Sequence, residues 1–342
     1  MPVTIREVSR RCGLSVSSVS KALNNYPDVR EETRAIVYQA AREIGYFPNA
    51  LARGLKTNRT YNLGVLLDDE LGDNLTHSFF AVILNAFRIE AEAHGYDITL
   101  INRSISARPL SYLKHCKHRR LDGICFMCVD FANPEVMELT RSDVVSVSID
   151  HPCEGIAGVN SDNRGGVRLL VEYARRLGHE RIAYVHGTPC FVNDERVKAF
   201  REAMERSGVR TREDWLVASH YHSAAHAFDN VRRLVAPEGV VRLEDGPTCL
   251  LMADDVSALG GIDALRSLGL SVPGDMSIAG FDGVEMIQRI HPRLTTVHQD
   301  ARRIGEQAAA LLLERIENPT APAPPVAWIP VTLIEGETVG RI

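Results

Sequence analysis

The 342-residue chain lacks any run of the roughly 18 uninterrupted apolar residues that a membrane-spanning helix needs. Its first residues, MPVTIREVSRRCG, put charge inside every candidate apolar run and offer no small-residue cleavage site. No export signal is expected, and the expectation is a cytoplasmic protein with no membrane partner. A disulfide framework is missing as well. Seven cysteines at irregular spacing, several inside apolar runs, read as reduced thiols. Cys125 and Cys128 form a CxxC in GICFMCVDF, but apolar neighbours and alternation predict a buried strand there. No second ligand pair follows at zinc spacing.

Several catalytic signatures are also missing. There is no G-x-x-x-x-G-K-[ST], no G-x-G-x-x-G after the first apolar strand, and no H-E-x-x-H, which argues against common nucleotide and zinc enzymes. His222 and His226 lie four apart on a predicted helix with His220 nearby. With no acid or cysteine partner evident, they read as solvent-facing, and neither a metal nor another cofactor is expected. The basic stretch HCKHRR (115–120) reads as a helix end that suits the helix dipole.

A last absence is local. SVSSVSKALNN, residues 15–25, holds four serines, two asparagines and one lysine but no acid, around Val16, Val19, Ala22 and Leu23. A helix free of negative charge suits an anionic surface. The wider charge distribution agrees. Residues 1–60 carry ten Lys and Arg against five acids, whereas the whole chain has a net charge of −5, so a basic head sits on an acidic body. That is the balance of a nucleic-acid-binding module fused to something else. Length predicts two or three domains, and 45% apolar with 24% charged residues is the composition of a soluble globular protein.

The head reads as helices. Thr4 and Glu7 make a T-x-x-E capping box before Ile5, Val8 and Cys12 on one face, and Gly13 ends that helix. Ser15 caps the next. Two short helices about three residues apart with a glycine between them match helix-turn-helix spacing. In that motif the second helix enters the major groove and its N-terminal residues reach base edges. A third helix follows in EETRAIVYQAAREIGY, then a very short apolar-sided one after Pro48, from Asn49 through Ala50, Leu51, Ala52 and Leu55. So short a helix is marginal alone.

These residues resemble a known family. TIREVSRRCGLSVSSVSKALNN, REETRAIVYQAAREIGYFPNALARGLKT and NLGVLLDD are similar to the lactose-repressor (LacI/GalR) family of bacterial transcription regulators, over essentially the whole chain. The resemblance implies a homodimer on a pseudo-palindromic double-stranded operator, with residues 49–56 as a hinge helix that folds on DNA and Leu55 as a minor-groove wedge. It implies base contacts from Val16, Ser17 and Lys21, and phosphate contacts from Thr4, Ser15, Ser18, Ser20 and Asn24. Asn49, Ala52 and Lys56 would join the DNA surface from the hinge. Lys21 stands where many members have arginine, and a lysine lacks the bidentate fork. Arg30 replaces the usual serine cap of the third helix, which weakens the cap or adds a phosphate contact.

From residue 61 the pattern alternates apolar strands with amphipathic helices, which means βαβ units and parallel sheets. About ten units exceed one sheet, and a break falls near residue 160. Two parallel-sheet halves joined at a hinge make a cleft between strand C-terminal ends. LTTVHQD with the helix 300–317 is expected to return to the first half, and VAWIPVTLI to finish the second. SDNRGG, LGHERIAYVHG, ERVKAF, ADDVSALGGIDALRSLGLSVPGDMSIAGFDG and PRLTTVHQDARRIGEQAA resemble the periplasmic-binding-protein-like core of the same family.

The expected architecture is therefore a small all-α helix-turn-helix head (1–48) and a hinge helix and linker (49–60), joined to an α/β periplasmic-binding-protein-like core. That core has two parallel-sheet subdomains, 61–160 plus about 290–318, and 161–289 plus about 319–342. By position the resemblance implies an effector site at Arg196, Tyr221, Asp254, Asp255 and Asp282 on one half. His77, Ser78, Phe79, Phe80 and Asp150 would face it from the other. Asp254 departs from the family's usual asparagine, and Gly283 replaces an acid. Carboxylates and aromatic faces suit vicinal hydroxyls and sugar C–H surfaces, so the expected effector is a carbohydrate. The alternatives are a regulator of nucleoside or purine metabolism, or a cytoplasmic sugar-binding protein without a regulatory role. Each acid at a strand–helix junction equally suits a helix cap, and Arg196 equally suits a structural ion pair. No leucine heptads follow the core, so a dimer is expected over a tetramer.

Overall fold

The computed structural model describes residues 3–24, 26–47, 59–68, 78–105, 108–237, 241 and 243–342. The chain parts into two compact units, Met1–Tyr61 and Asn62–Ile342, each with its own apolar core. The smaller contains α1 (Ile5–Cys12), α2 (Val16–Leu23) and α3 (Glu31–Glu43). Local chemistry sets these boundaries. Glu7 Oε2 accepts from Thr4 N at 2.7 Å and Thr4 Oγ1 at 3.0 Å, closing the capping box at the start of α1. Gly13, at φ 70, ends α1 in the left-handed region. Ser15 Oγ accepts from Ser18 N at 3.0 Å and starts α2.

Eight-residue helices do not persist alone. Val8, Val19, Ala22, Val37, Ala40 and Ala41 bury their side chains in one shared core that holds them together. Arg30, before α3, makes no side-chain cap bond. Arg34 Nη2 instead donates to the carbonyls of Tyr26 and Val29, at 3.1 and 3.3 Å, and ties the loop to α3.

The larger unit runs β1 (Asn62–Asp68), α4 (Ser78–Ala93), β2 (Asp97–Ile101), a small hairpin β3 (Ser104–Ile105) and β4 (Arg108–Pro109), α5 (Tyr112–Arg119), β5 (Gly123–Val129), α6 (Pro134–Thr140), β6 (Ser146–Ile149) and β7 (Ala157–Ser161). It continues with α7 (Asn163–Arg176), β8 (Ile182–His186), α8 (Phe191–Arg206), β9 (Leu216–Ala218), α9 (Ala224–Val235), β10 (Cys249–Met252), α10 (Asp255–Ser267), β11 (Ser277–Asp282), β12 (Thr295–Gln299), α11 (Ala301–Glu317), β13 (Ala327–Ile329) and β14 (Val331–Ile334). Two six-stranded sheets result, ordered β13-β7-β6-β5-β1-β2 and β14-β12-β11-β10-β8-β9. All pairings in them are parallel except β12 with β14. In each sheet the order reverses beside its first strand, β1 or β8. The crevice at the strand C-terminal ends there is where such folds bind ligands.

Three chain segments pass between the halves: 161–163, 299–301 and 329–331. Asp162 N donates to Ile329 O at 2.9 Å, joining two of them. Asp162 and Asp300 cap the helices that follow, accepting from Gly165 N at 2.8 Å and Arg303 N at 2.9 Å. The assignment of strands to halves differs from the sequence expectation. TTVHQ pairs with β11 in the second sheet, and only α11 returns to the first half, against α4 and the first sheet. AWI pairs with β7 in the first sheet, and VTLI alone joins the second. Alternation shows that a segment is a strand, but the partner edge is chosen by packing. α11 seats on α4 so closely that a Cβ at Gly305 would lie 2.3 Å from Ile83 O.

Cys125 is fully buried in β5, as its apolar context predicts. The helix that ends in the basic stretch 115–120 starts at Tyr112, after the hairpin, with Ser111 as its cap.

Candidate functional site

On the head, α2 presents the residues expected to meet DNA. Thr4, Ser15, Val16, Ser17 and Asn24 are exposed, Val16 to 41% although it is apolar, and Ser18, Ser20 and Lys21 are half-buried. Several already have partners. Ser15 Oγ lies 2.9 Å from Ser18 Oγ, and Asn24 Nδ2 donates to Ser20 O at 2.7 Å, closing the helix end. Lys21 pairs with Asp28, which raises the ammonium pKa and lowers that of the carboxyl. A free arginine fork was not expected at this position, and an engaged ammonium is what stands there. Asn49, Ala52, Leu55 and Lys56 lie outside the described residues, as does His77 in the core.

In the larger unit, strand ends bring distant residues around Arg196. The residue is 4% exposed, and its guanidinium lies 3.7 Å above the Phe281 ring centroid and donates from Nε to Asn163 Oδ1 at 2.7 Å and from Nη1 to Ala253 O at 2.9 Å. Its interior partners are thus neutral. The nearby carboxylates of Asp150, after β6, and Asp282, ending β11, interact with its charge without pairing directly. Tyr221 lies beside it, its ring 5.9 Å away and packed on the bare backbone of Gly187, where a Cβ would meet the ring at 2.2 Å.

The three acids of the second half divide their roles. Asp254 is fully buried and caps α10: Oδ1 accepts from Ser257 N at 2.8 Å, and Oδ2 accepts from Ser257 Oγ at 2.9 Å and His222 N at 2.8 Å. Burial pushes its pKa up, but the His222 charge and these hydrogen bonds outweigh it and hold the carboxyl at about 2. Asp255, also fully buried, accepts from the Thr296 hydroxyl and from Val284 N at 2.7 Å, behind the cleft. Burial and the Asp282 charge push its pKa well above the ordinary value. Asp282 Oδ1 accepts from Gln299 Nε2 at 2.7 Å, and burial lifts its pKa to about 7 against the opposing pull of His222. Asp150 is also raised by burial, with the Arg196 charge opposing.

His222 is not the solvent-facing residue expected from sequence. Its side chain is 16% exposed, with Nδ1 3.7 Å from Asp254 Oδ1 and 3.9 Å from Asp282 Oδ2. Asp254 was the missing acid partner, 32 residues away and brought close only by the fold. The His220 and His226 rings lie 4.2 Å apart, tilted by 44°, and no group of three metal-ligating side chains occurs among the described residues.

From the first half, Phe80 meets the His222 ring edge-on at 6.0 Å, while its neighbour Phe79 turns into the core and Ser78 is exposed. His151 stacks on Phe131 at 3.9 Å and meets Phe191 of α8 edge-on at 5.8 Å. Neither the histidines nor these last two phenylalanines were legible as cleft residues, because nothing local marks them. Positive φ at Asp150 (60), His222 (56) and Asp282 (113) is a backbone signal that only coordinates carry.

The fold and this geometry define a class: a helix-turn-helix head on a two-lobed binding core. Known relatives narrow it. Residues 4–49 match the model for bacterial regulatory proteins of the lacI family, and residues 171–339 match a periplasmic binding protein-like domain. The HTH-type transcriptional repressor PurR of Vibrio cholerae serotype O1 (strain M66-2) is 31% identical over 324 residues, covering 92% of each chain. The Lac repressor dimer bound to operator and the anti-inducer ONPF is similar with a TM-score of 0.81 and 25% identity, over 99% of this chain and 100% of that one. The transcriptional regulator CelR in complex with cellobiose shares the fold, with a TM-score of 0.70 and 23% identity over 98% and 99% of the two chains.

The chain belongs to the lacI family of bacterial regulatory proteins. It is a DNA-binding transcriptional regulator that responds to a small-molecule ligand. Among the described residues, no helix is long and apolar enough to cross a membrane.

Proposed function

We propose that the chain is a homodimeric repressor, acting in the cytoplasm on a pseudo-palindromic operator, whose effector is an uncharged carbohydrate held between the two lobes. Binding, not turnover, is its role, in keeping with relatives that are transcriptional repressors. Residues 1–48 read DNA, the segment 49–60 couples head to core, and the lobes on either side of the three crossing segments close on the effector. An effector shifts the DNA-competent state only by the difference in its affinity for the two closure states.

The observation that carries the carbohydrate reading is a set of buried polar atoms with no hydrogen-bond partner among the described residues: Asp150 Oδ1, Ser161 Oγ, Tyr221 Oη and Gln299 Oε1. Asp150 and Tyr221 act directly on the Arg196 charge, Ser161 touches Asp150, and Gln299 holds Asp282. Buried polar groups are normally paired. Carboxylate and amide oxygens beside hydroxyls want a partner rich in hydroxyl groups, and aromatic rings on both lobes suit its C–H faces.

A planar purine base, on which aromatic side chains can pack, is the second reading: Phe80 and His222 bring rings from the two halves together, edge-on at 6.0 Å. Thermal unfolding of the full-length protein with neutral sugars, sugar phosphates, polyols and purine bases separates the two. A ligand of the folded state adds about 2.7 kcal/mol at a hundredfold excess over its Kd. Stabilisation by neutral sugars supports the first reading, and stabilisation by purines alone overturns it.

A further inference from the structure

His222 stands out among the residues around Arg196, because the fold goes to some length to hold it there. It precedes Ser223, the cap of α9, whose Oγ accepts from His226 N at 3.4 Å, and it adopts a φ of 56, which non-glycine residues rarely populate. Its backbone N–H is held by Asp254 Oδ2 at 2.8 Å. This delivers the imidazole to a gap between two carboxylates, 3.7 Å from Asp254 Oδ1 and 3.9 Å from Asp282 Oδ2, with Phe80 of the opposite lobe at its edge.

Among the described residues, three charged groups act on the ring. Asp254 approaches from the N-terminus of α10, Asp282 from the end of β11, and Arg196 from α8; Phe80 from α4 brings no charge. Asp255 acts on Asp282 and Asp254 from behind them. We propose that His222 is a specificity-determining residue of the cleft: as a second cation beside Arg196, it keeps Asp282 an ionised acceptor for hydroxyl groups and balances the site for uncharged effectors. This rests on the carbohydrate reading above.

The chemistry follows from the surroundings. Asp254 spends its oxygens on capping α10 and on the His222 amide, so it serves as the fixed counter-charge that keeps the imidazole protonated. Burial works against that proton, and the two carboxylates outweigh it, so the histidine pKa is raised from its ordinary value. Asp282 has one oxygen on Gln299 and the other towards His222. His222 is among the charges that pull the Asp282 carboxyl down to about 7. Without the imidazolium its pKa rises further and more of it is protonated at neutral pH, and a protonated carboxyl is a weaker acceptor for a hydroxyl. The site then needs two opposite protonation states at once, His222 with its proton and Asp282 without. Effector affinity therefore peaks in a window of pH and falls on either side.

Two measurements on the full-length protein test this. First, histidine-labelled protein is titrated by NMR, with His222→Gln and His222→Asn assigning the resonance; asparagine tolerates the left-handed backbone if glutamine does not. His222 is expected to titrate above the ordinary 6.5, and Asp282→Asn to lower it. Titration at or below the ordinary value overturns the inference.

Second, calorimetry from pH 5 to 9 measures ribose, galactose, cellobiose, galacturonate and purine bases on wild type and both variants. The expected result is a neutral sugar bound with a bell-shaped pH profile. In the variants its affinity falls about tenfold at pH 7, with the alkaline limb lost and the acid limb moved to higher pH. A sugar whose profile keeps its shape in the variants overturns the role of His222 and leaves the carbohydrate reading standing. Binding by galacturonate or purines alone, or by nothing, overturns both.

Discussion

Replacing Asp282 by asparagine should make the core more stable, and the gain should depend on pH in a way fixed by where the carboxyl sits. Asp282 is almost fully buried, and burial lifts its pKa from the ordinary 3.8 to about 7. Because the folded value lies above the unfolded one, ionisation penalises the folded state. The penalty is absent below pH 4 and grows by roughly 1.4 kcal/mol per pH unit between pH 4 and 7. Above that it levels off at about 4 kcal/mol.

The amide in Asp282→Asn would avoid the charge while keeping the shape, the Oδ1 acceptor for Gln299 and a residue type suited to the φ of 113. The expected gain over wild type is roughly 4 kcal/mol at pH 8, or about 10 °C in Tm for a unit of this size, and only about 2 kcal/mol at pH 5. Thermal unfolding of both proteins from pH 4 to 9 reads the difference directly. A gain that is constant with pH, or a loss at pH 8, would refute the assignment of a buried ionising carboxyl. The same variant should bind a neutral sugar more weakly, so that stability and response move in opposite directions.

Other outcomes follow from the same geometry. Arg196→Ala leaves Asn163 Oδ1 and Ala253 O buried without their donor and should cost roughly 2–4 kcal/mol in denaturant unfolding while abolishing the effector response; a variant that still responds would move the pocket elsewhere. Asp28→Asn frees Lys21 and should tighten DNA binding, with the slope of log affinity against log salt steeper by about one. An unchanged slope would mean that Lys21 never reaches the DNA. Leu55→Ala should lower operator affinity in gel-shift titrations and leave calorimetric effector binding intact, and unchanged operator affinity would sink its place as a wedge.

The head was nearly all legible in the sequence, because its determinants are local. A capping box at Thr4 and Glu7, a left-handed glycine at 13, a serine cap at 15 and apolar residues at helical spacing act within one or two turns of the chain. The alternation of strands and helices in the core was legible for the same reason, since periods of 2.0 and 3.6 are properties of single segments. What only the tertiary structure decided is pairing over distance. Whether 295–299 added to the first sheet or the second depended on which edge was open, and β12 took the edge beside β11. His222 looked like a surface residue until β10 and β11 set Asp254 and Asp282 against it, 32 and 60 positions along the chain. Likewise, only the fold shows that Ser257 donates to Asp254, and Val284 and Thr296 to Asp255. A carboxylate's role is set by which donors reach it and how much water is left, and neither is a property of its neighbours in sequence.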